Sequence, residues 1–123
     1  MSETRLSSSV SARPVVVIDD DDAVRDSLMI LLEAHGFSVV CFGSSETYLA
    51  ASSAAAFAVL ADNNLPGMSG IELLQQLAGR GVPPRLGLIS GRMNSAVRDR
   101  AQALGAAAFH KPASIEALLD WLK

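Results

Sequence analysis

Four consecutive aspartates, Asp19-Asp20-Asp21-Asp22, follow the apolar run Val15–Ile18. A fifth, Asp62, follows the apolar run Phe57–Ala61 and leads into Asn63-Asn64-Leu65-Pro66-Gly67. Ser90-Gly91 follows Leu86–Ile89, and Lys111-Pro112 lies just beyond Ala106–Phe109. Acid, acid, hydroxyl and base thus follow four separate apolar runs. Each has a plain alternative: Asp21 and Asp22 suit a helix start, Asp62 a turn, Ser90 a helix cap, and Lys111 a solvated charge. Capping cannot occupy four aspartates at once. At ~4 Å and an effective dielectric near ~20, two like charges repel by roughly 4 kcal/mol. The adjacent carboxylates Asp19 and Asp20 therefore call for a cation between them, and oxygen-only ligands suit Mg²⁺.

The elements that must position these residues are short. Five apolar runs recur: Val15–Ile18, Val39–Phe42, Phe57–Ala61, Leu86–Ile89 and Ala106–Phe109. Most are continuous rather than alternating, as in strands covered on both faces. Helical periodicity separates them. Val24, Leu28, Leu31 and His35 share one face of the first helix; Ile71, Leu74 and Ala78 mark the third. Val97, Ala101 and Leu104 mark the fourth, and Ile115, Leu118, Leu119 and Leu122 the last. The second, Ser45 to Ala54, has little contrast because its residues are small. Gly36, Gly79, Gly81 and Gly105 stand where helices should stop, and Gly43, Pro66, Gly67 and Pro83-Pro84 fall in loops. Strand–helix repeated five times predicts an α/β fold: a doubly wound, five-stranded parallel sheet with five helices. In such a fold function collects at the carboxyl ends of the strands.

The chain has 123 residues, which suits one domain, and 50 % are hydrophobic, which excludes intrinsic disorder. A net charge of −3 argues against direct nucleic-acid binding. The single cysteine, Cys41, excludes an internal disulfide and reads as a small core hydrophobe. The longest apolar run, Ala54 to Ala61, is far short of the roughly 18 residues of a membrane span. Residues 1–13 are Ser-rich with no apolar signal core and are expected to form a flexible tail before a domain over 14–123. A soluble, cytoplasmic domain is expected.

From about Arg13 to Lys123 the chain resembles the receiver domain of two-component response regulators, a flavodoxin-like fold, including the branch with helix-turn-helix output. The matching pieces are Val17-Ile18-Asp19-Asp20, Asp62-Asn63-Asn64-Leu65-Pro66-Gly67-Met68-Ser69-Gly70, Ile89-Ser90-Gly91 and Lys111-Pro112. The combination is specific; no single piece is. The resemblance implies that Asp62 accepts a phosphoryl group from a sensor histidine kinase or phosphotransfer protein, or from a small acyl phosphate. It implies that Asp19, Asp20, Asp62 and the Asn64 backbone carbonyl surround Mg²⁺. Ser90 would hydrogen-bond the phosphoryl group, Lys111 would pair with it, and a cis bond would precede Pro112. Asn64 and Arg92 are expected to govern how water reaches the phosphoryl group. A dimer through the face of helix four, strand five and helix five is a further implication. The resemblance makes the chain no enzyme beyond its own phosphorylation and dephosphorylation. It is expected to be a free-standing receiver or the receiver of a longer regulator.

One departure concerns signalling. The family places Tyr or Phe three residues before the lysine as a rotating switch; here that position is Ala108, followed by Phe109. Gly105 also precedes Lys111 by one residue fewer than is usual. Either Phe109 takes the switch role through a shifted strand, or the switch is absent. His110 is expected to be a strand-end residue, His35 a helix C-terminal one, and Trp121 packing or partner surface.

Three other functions compete. A phosphohydrolase of the haloacid-dehalogenase type needs a second acid two places after the nucleophile, where this chain has Asn64. A nucleotide-binding domain needs a glycine- or hydroxyl-rich loop after strand one, where this chain has aspartates. A receiver-like module that is never phosphorylated would not need the complete set of acceptor groups.

Overall fold

The structure, a computed structural model, describes residues 13–51 and 55–123. The order is β1 Val15–Ile18, α1 Asp22–Ala34, β2 Val39–Phe42, α2 Ser45–Ala51, β3 Ala58–Asp62, α3 Gly70–Ala78, β4 Arg85–Ser90, α4 Ser95–Ala103, β5 Ala107–His110 and α5 Ile115–Trp121. The strands form one sheet in the order β2-β1-β3-β4-β5, and every pairing is parallel. Parallel neighbours need a crossover, and a helix supplies each one. The strand order reverses at β1, so β1 and β3 are neighbours whose carboxyl ends open a crevice.

Two apolar layers cover the sheet. Val16, Ile18, Val59, Ala61 and Leu88 face α2, α3 and α4, whereas Val15, Val17, Leu60 and Ile89 face α1 and α5. Alternate side chains point to opposite faces. Both faces are covered, so the central strands read as unbroken apolar runs. β3 and β5 each lie one residue later than the apolar runs that mark them, and β4 extends to Arg85 and Ser90. Ladder pairing carries the strands past the last apolar residue, since Asp62 pairs with Ile89 and Ser90 with His110.

The face of α1 differs from expectation. Leu28 and Leu32 are buried, while Leu31 is 42 % exposed. The helix packs along an i, i+4 row rather than the i, i+3 step from Leu28 to Leu31. His35 is the C-cap, and its Nδ1 lies 2.8 Å from the Leu31 carbonyl oxygen. Gly36 and Gly105 follow α1 and α4 with positive φ, the conformation that ends a helix with least strain in glycine. Gly79 caps α3 in an ordinary helical conformation, and Gly81 lies in the loop beyond it. The expected tail falls outside the described residues except for Arg13, as do residues 52–54 of the expected second helix. Among the described residues no helix is long and apolar enough to cross a membrane.

Candidate functional site

The carboxyl end of β1 is held from several sides. Asp19 is 1 % exposed, and its N–H donates to the Phe42 carbonyl at 3.1 Å. Its Oδ1 accepts from the Asp21 N–H at 2.9 Å. Asp21 is the N-cap of α1, and its carboxylate accepts from the N–H groups of Ala23 and Val24. Asp22 sits in the first helical turn and pairs with Arg25. The run of four aspartates therefore divides: the last two serve the helix, and the first two remain for the crevice.

Asp62 ends β3 and is 3 % exposed. Its Oδ1 accepts from the Asn64 N–H at 3.0 Å, and its Oδ2 from Lys111 Nζ at 3.0 Å. Carboxylate oxygens of Asp19, Asp20 and Asp62 all lie within 4.8 Å of one another. Lys111 Nζ also lies 2.8 Å from Asp19 Oδ2. The ammonium is the charge set against this buried oxygen. Burial works to lower the Lys111 pKa. The contacts with Asp19 and Asp62 outweigh it and hold the ammonium above the ordinary lysine value.

The loop after Asp62 is shaped by close approach. A Cβ on Gly70 would come within 2.4 Å of the Asp62 carbonyl oxygen, so only glycine lets α3 begin against the acceptor strand. Ser69 and Glu72 form a capping box at that helix start. The Ser69 N–H and hydroxyl hold the Glu72 carboxyl below the usual carboxylate range. Asn63 Oδ1 accepts from the Ile71 N–H, and Glu46 Oε2 accepts from the Met68 N–H at 2.7 Å.

Ser90 ends β4 and is 1 % exposed. Its Oγ accepts from the Arg92 N–H at 3.0 Å and from Asn64 Nδ2 at 3.4 Å. Both acceptor positions of the hydroxyl are thereby used, which leaves its proton to donate. The α4 cap is Asn94, not Ser90. The Lys111 N–H bonds the Ser90 carbonyl at 2.9 Å, and the Lys111-Pro112 bond is cis, as the resemblance implies.

The register of β5 decides between Ala108 and Phe109. Ala108 pairs with Leu88 and packs against the same apolar layer as Met93 and Val97, on the side of α4. Phe109 faces the other side of the sheet, where its ring meets Trp121 edge to face at 5.5 Å. The position beside α4 therefore holds alanine, and the aromatic ring belongs to the α5 layer. Trp121 is packing, and a Cβ on Gly87 would come within 2.8 Å of its ring. His110 is an exposed strand-end residue. Cys41 is half-buried, and burial pushes its thiol pKa up, which suits an unreactive core residue.

Sequence reasoning singled out Asp19, Asp20, Asp62, Asn64, Ser90, Arg92 and Lys111, and the structure gathers them at one end of the sheet. It missed Arg25, Asn63 and Glu46, which hold the surrounding loops. Arg25 follows Asp22 by three residues, a helical ion-pair spacing that could have marked it.

The doubly wound sheet and its acidic crevice define a receiver-type domain. The sequence profile of the response regulator receiver domain matches residues 15–123, and the chain belongs to that family. It is 40 % identical over 97 residues to the transcriptional regulatory protein FixJ of Azorhizobium caulinodans, covering 78 % of this chain and 46 % of FixJ. The chain thus spans about half the length of the curated relative. A response regulator receiver protein from Burkholderia phymatum superposes with a TM-score of 0.73 at 30 % identity, covering 89 % of this chain and 95 % of that one. A response regulator from Burkholderia pseudomallei, solved with a phosphorylated aspartic acid, calcium ion and citrate, gives a TM-score of 0.79 at 26 % identity. That match covers 90 % of this chain and 66 % of the other. This is a receiver domain of two-component response regulators.

Proposed function

We propose that Asp62 is the phosphoacceptor, and that the acidic crevice binds Mg²⁺ through Asp19, Asp20, Asp62 and the Asn64 carbonyl. The observation that carries this reading is the convergence of three carboxylates within 4.8 Å, with Lys111 against two of them. The donor set is all oxygen and carries three carboxylates, which fits a hard cation. When bound, Mg²⁺ supplies positive charge that offsets repulsion between the acceptor and the incoming phosphoryl group.

The chain's own groups do the rest. An Asp62 oxygen attacks phosphorus, an O–P bond forms, and the bond to the donor breaks with its electron pair leaving on the donor. That donor is the phosphohistidine of a sensor kinase or phosphotransfer protein, or an acyl phosphate. Lys111 pairs with the new phosphoryl oxygens, and the Ser90 hydroxyl donates to one of them. Gly91 has open space where a Cβ would stand, which leaves an approach beside Ser90. The protein thus catalyses its own phosphorylation and autodephosphorylation in the cytoplasm. The face of α4, β5 and α5 is the output surface and can take a second copy. In support, β5 is an edge strand whose first three residues are only half-buried.

Incubation with acetyl phosphate and Mg²⁺, read by intact mass, tests the assignment. One added phosphoryl group is expected on the parent and none on Asp62→Asn. Stoichiometric uptake by Asp62→Asn would falsify it.

A further inference from the structure

The peptide unit between Asp19 and Asp20 carries both carboxylates of the acidic pair. That unit is planar, so holding its carbonyl oxygen sets ψ of Asp19 and with it where the Cα of Asp20 stands. The Asp19 N–H belongs to the preceding unit and is tied to Phe42. The Asp19 carbonyl belongs to the unit in question, and neither the sheet nor the α1 cap reaches it. It accepts from Arg25 Nη1 at 2.6 Å. The other arm of the same guanidinium pairs with Asp22, and in the β2–α2 loop a Cβ on Gly43 would lie 3.6 Å from Nη1. The Arg25 side chain is 21 % exposed, so the contact is partly shielded from water.

We infer that Arg25 is a positioning residue for the metal site: its guanidinium clamps the Asp19–Asp20 peptide and so sets where Asp20 presents its carboxylate beside those of Asp19 and Asp62. This rests on the reading of Asp19 and Asp20 as the Mg²⁺-facing pair. The planar fork suits the task, because one arm can hold the carbonyl while the other is anchored on Asp22.

Charge and position predict opposite signs. A guanidinium acting only as a nearby cation would repel Mg²⁺, so its removal would tighten binding. A clamp predicts that its removal weakens binding, in line with the roughly 10–100-fold cost of losing groups that orient metal ligands.

The test is a Mg²⁺ titration of the full 123-residue chain, followed by amide chemical shifts. A melting curve without metal reads stability separately. Arg25→Met keeps the aliphatic stem and removes the donors; Mg²⁺ affinity is expected to fall about tenfold. Arg25→Lys keeps one donor and is expected to be intermediate. Asp22→Asn removes the exposed charge but keeps an oxygen that can accept from Nη2 and leaves the carbonyl contact intact, so it is expected to stay within about twofold of the parent. The Mg²⁺ concentration for half-maximal phosphorylation should rise in Arg25→Met while the rate at saturating metal returns close to the parent's. Loss of stability alone does not produce that split. Affinity in Arg25→Met equal to or tighter than the parent's overturns the role of Arg25. Should that variant not fold, an Arg25→Lys affinity equal to the parent's overturns it instead. A parent that binds no Mg²⁺ overturns the underlying reading of the acidic pair, a result distinct from either of these.

Discussion

The ammonium of Lys111 lies 3.0 Å from Asp62 Oδ2, joining residues 49 positions apart across the carboxyl end of the sheet. The same Nζ reaches Asp19, so one cation serves two buried carboxylates. Its raised pKa gives the pair a defined pH dependence. A group whose pKa is higher folded than unfolded adds stability below its unfolded value, about 10.4 for lysine, and loses it as pH rises through the folded value.

The first prediction follows from that sign. Lys111→Met is expected to be less stable than the parent by a constant margin from about pH 7 to pH 9, and the margin should shrink above about pH 10.4. Urea midpoints measured across that range check it. A margin that widens with rising pH contradicts the assignment.

The second prediction concerns the metal. Few protein ligands face the cluster, so Mg²⁺ affinity should be weak and phosphorylation should need the ion. Asp20→Ala is expected to raise the Mg²⁺ requirement by an order of magnitude or more. Phosphorylation that proceeds unchanged in excess chelator sinks the idea.

The third prediction concerns lifetime. Asn64 Nδ2 and the Arg92 N–H converge on Ser90 Oγ, which places both residues beside the expected phosphoryl position. Arg92→Ala keeps its backbone donor but removes the side chain. Autodephosphorylation is expected to change at least several-fold, followed by loss of the phosphorylated mass with time. An unchanged rate rejects a role for the Arg92 side chain.

The fourth prediction concerns the switch. Alanine at 108 has no side-chain torsion to turn, and the Phe109 ring is committed to Trp121 on the opposite face. The change on activation should therefore fall mainly in the loop from Gly91 to Ser95. A ligand shifts a two-state element only by its differential affinity for the two states, and without a rotating ring fewer contacts differ in β5. Amide exchange with and without beryllofluoride tests this. Strong changes confined to Ala106–His110, with none in Gly91–Ser95, would show that Phe109 has taken over.

The fifth prediction concerns the floor of the site. Gly70→Ala is expected to cost about 1–3 kcal/mol, because its methyl group meets the Asp62 carbonyl. Denaturant unfolding measures the loss. A variant as stable as the parent shows that α3 can move away from Asp62 freely.

The fold was legible because its signals are local. Five apolar runs, helical periodicity between them and glycines near the helix ends are all written in short windows of sequence. The acids and the base were legible for the same reason, since each closely follows an apolar run. Asp21 and Asp22 as helix-start residues needed no more than their place at the start of α1. The α1 face was misread at Leu31 because i, i+3 and i, i+4 rows are both apolar there, and the packing partner chooses between them.

Sequence by itself determined that Asp19, Asp20, Asp62, Ser90 and Lys111 stand at strand ends, because strand length and apolar content are properties of neighbouring residues. Tertiary structure alone decided what they face. Lys111 meets Asp62 only through the parallel pairing of β3, β4 and β5, and Arg25 finds the Asp19 carbonyl only once α1 has packed against β1 and β2. The placement of Phe109 is the sharpest case. In a strand of four residues, moving the register by one sends every side chain to the opposite face, and composition does not distinguish the two. Pairing of Ala108 with Leu88 and of Phe109 with Ile89 settles it, because the ladder to β4 extends over the whole strand and the Trp121 ring on α5 offers Phe109 a partner.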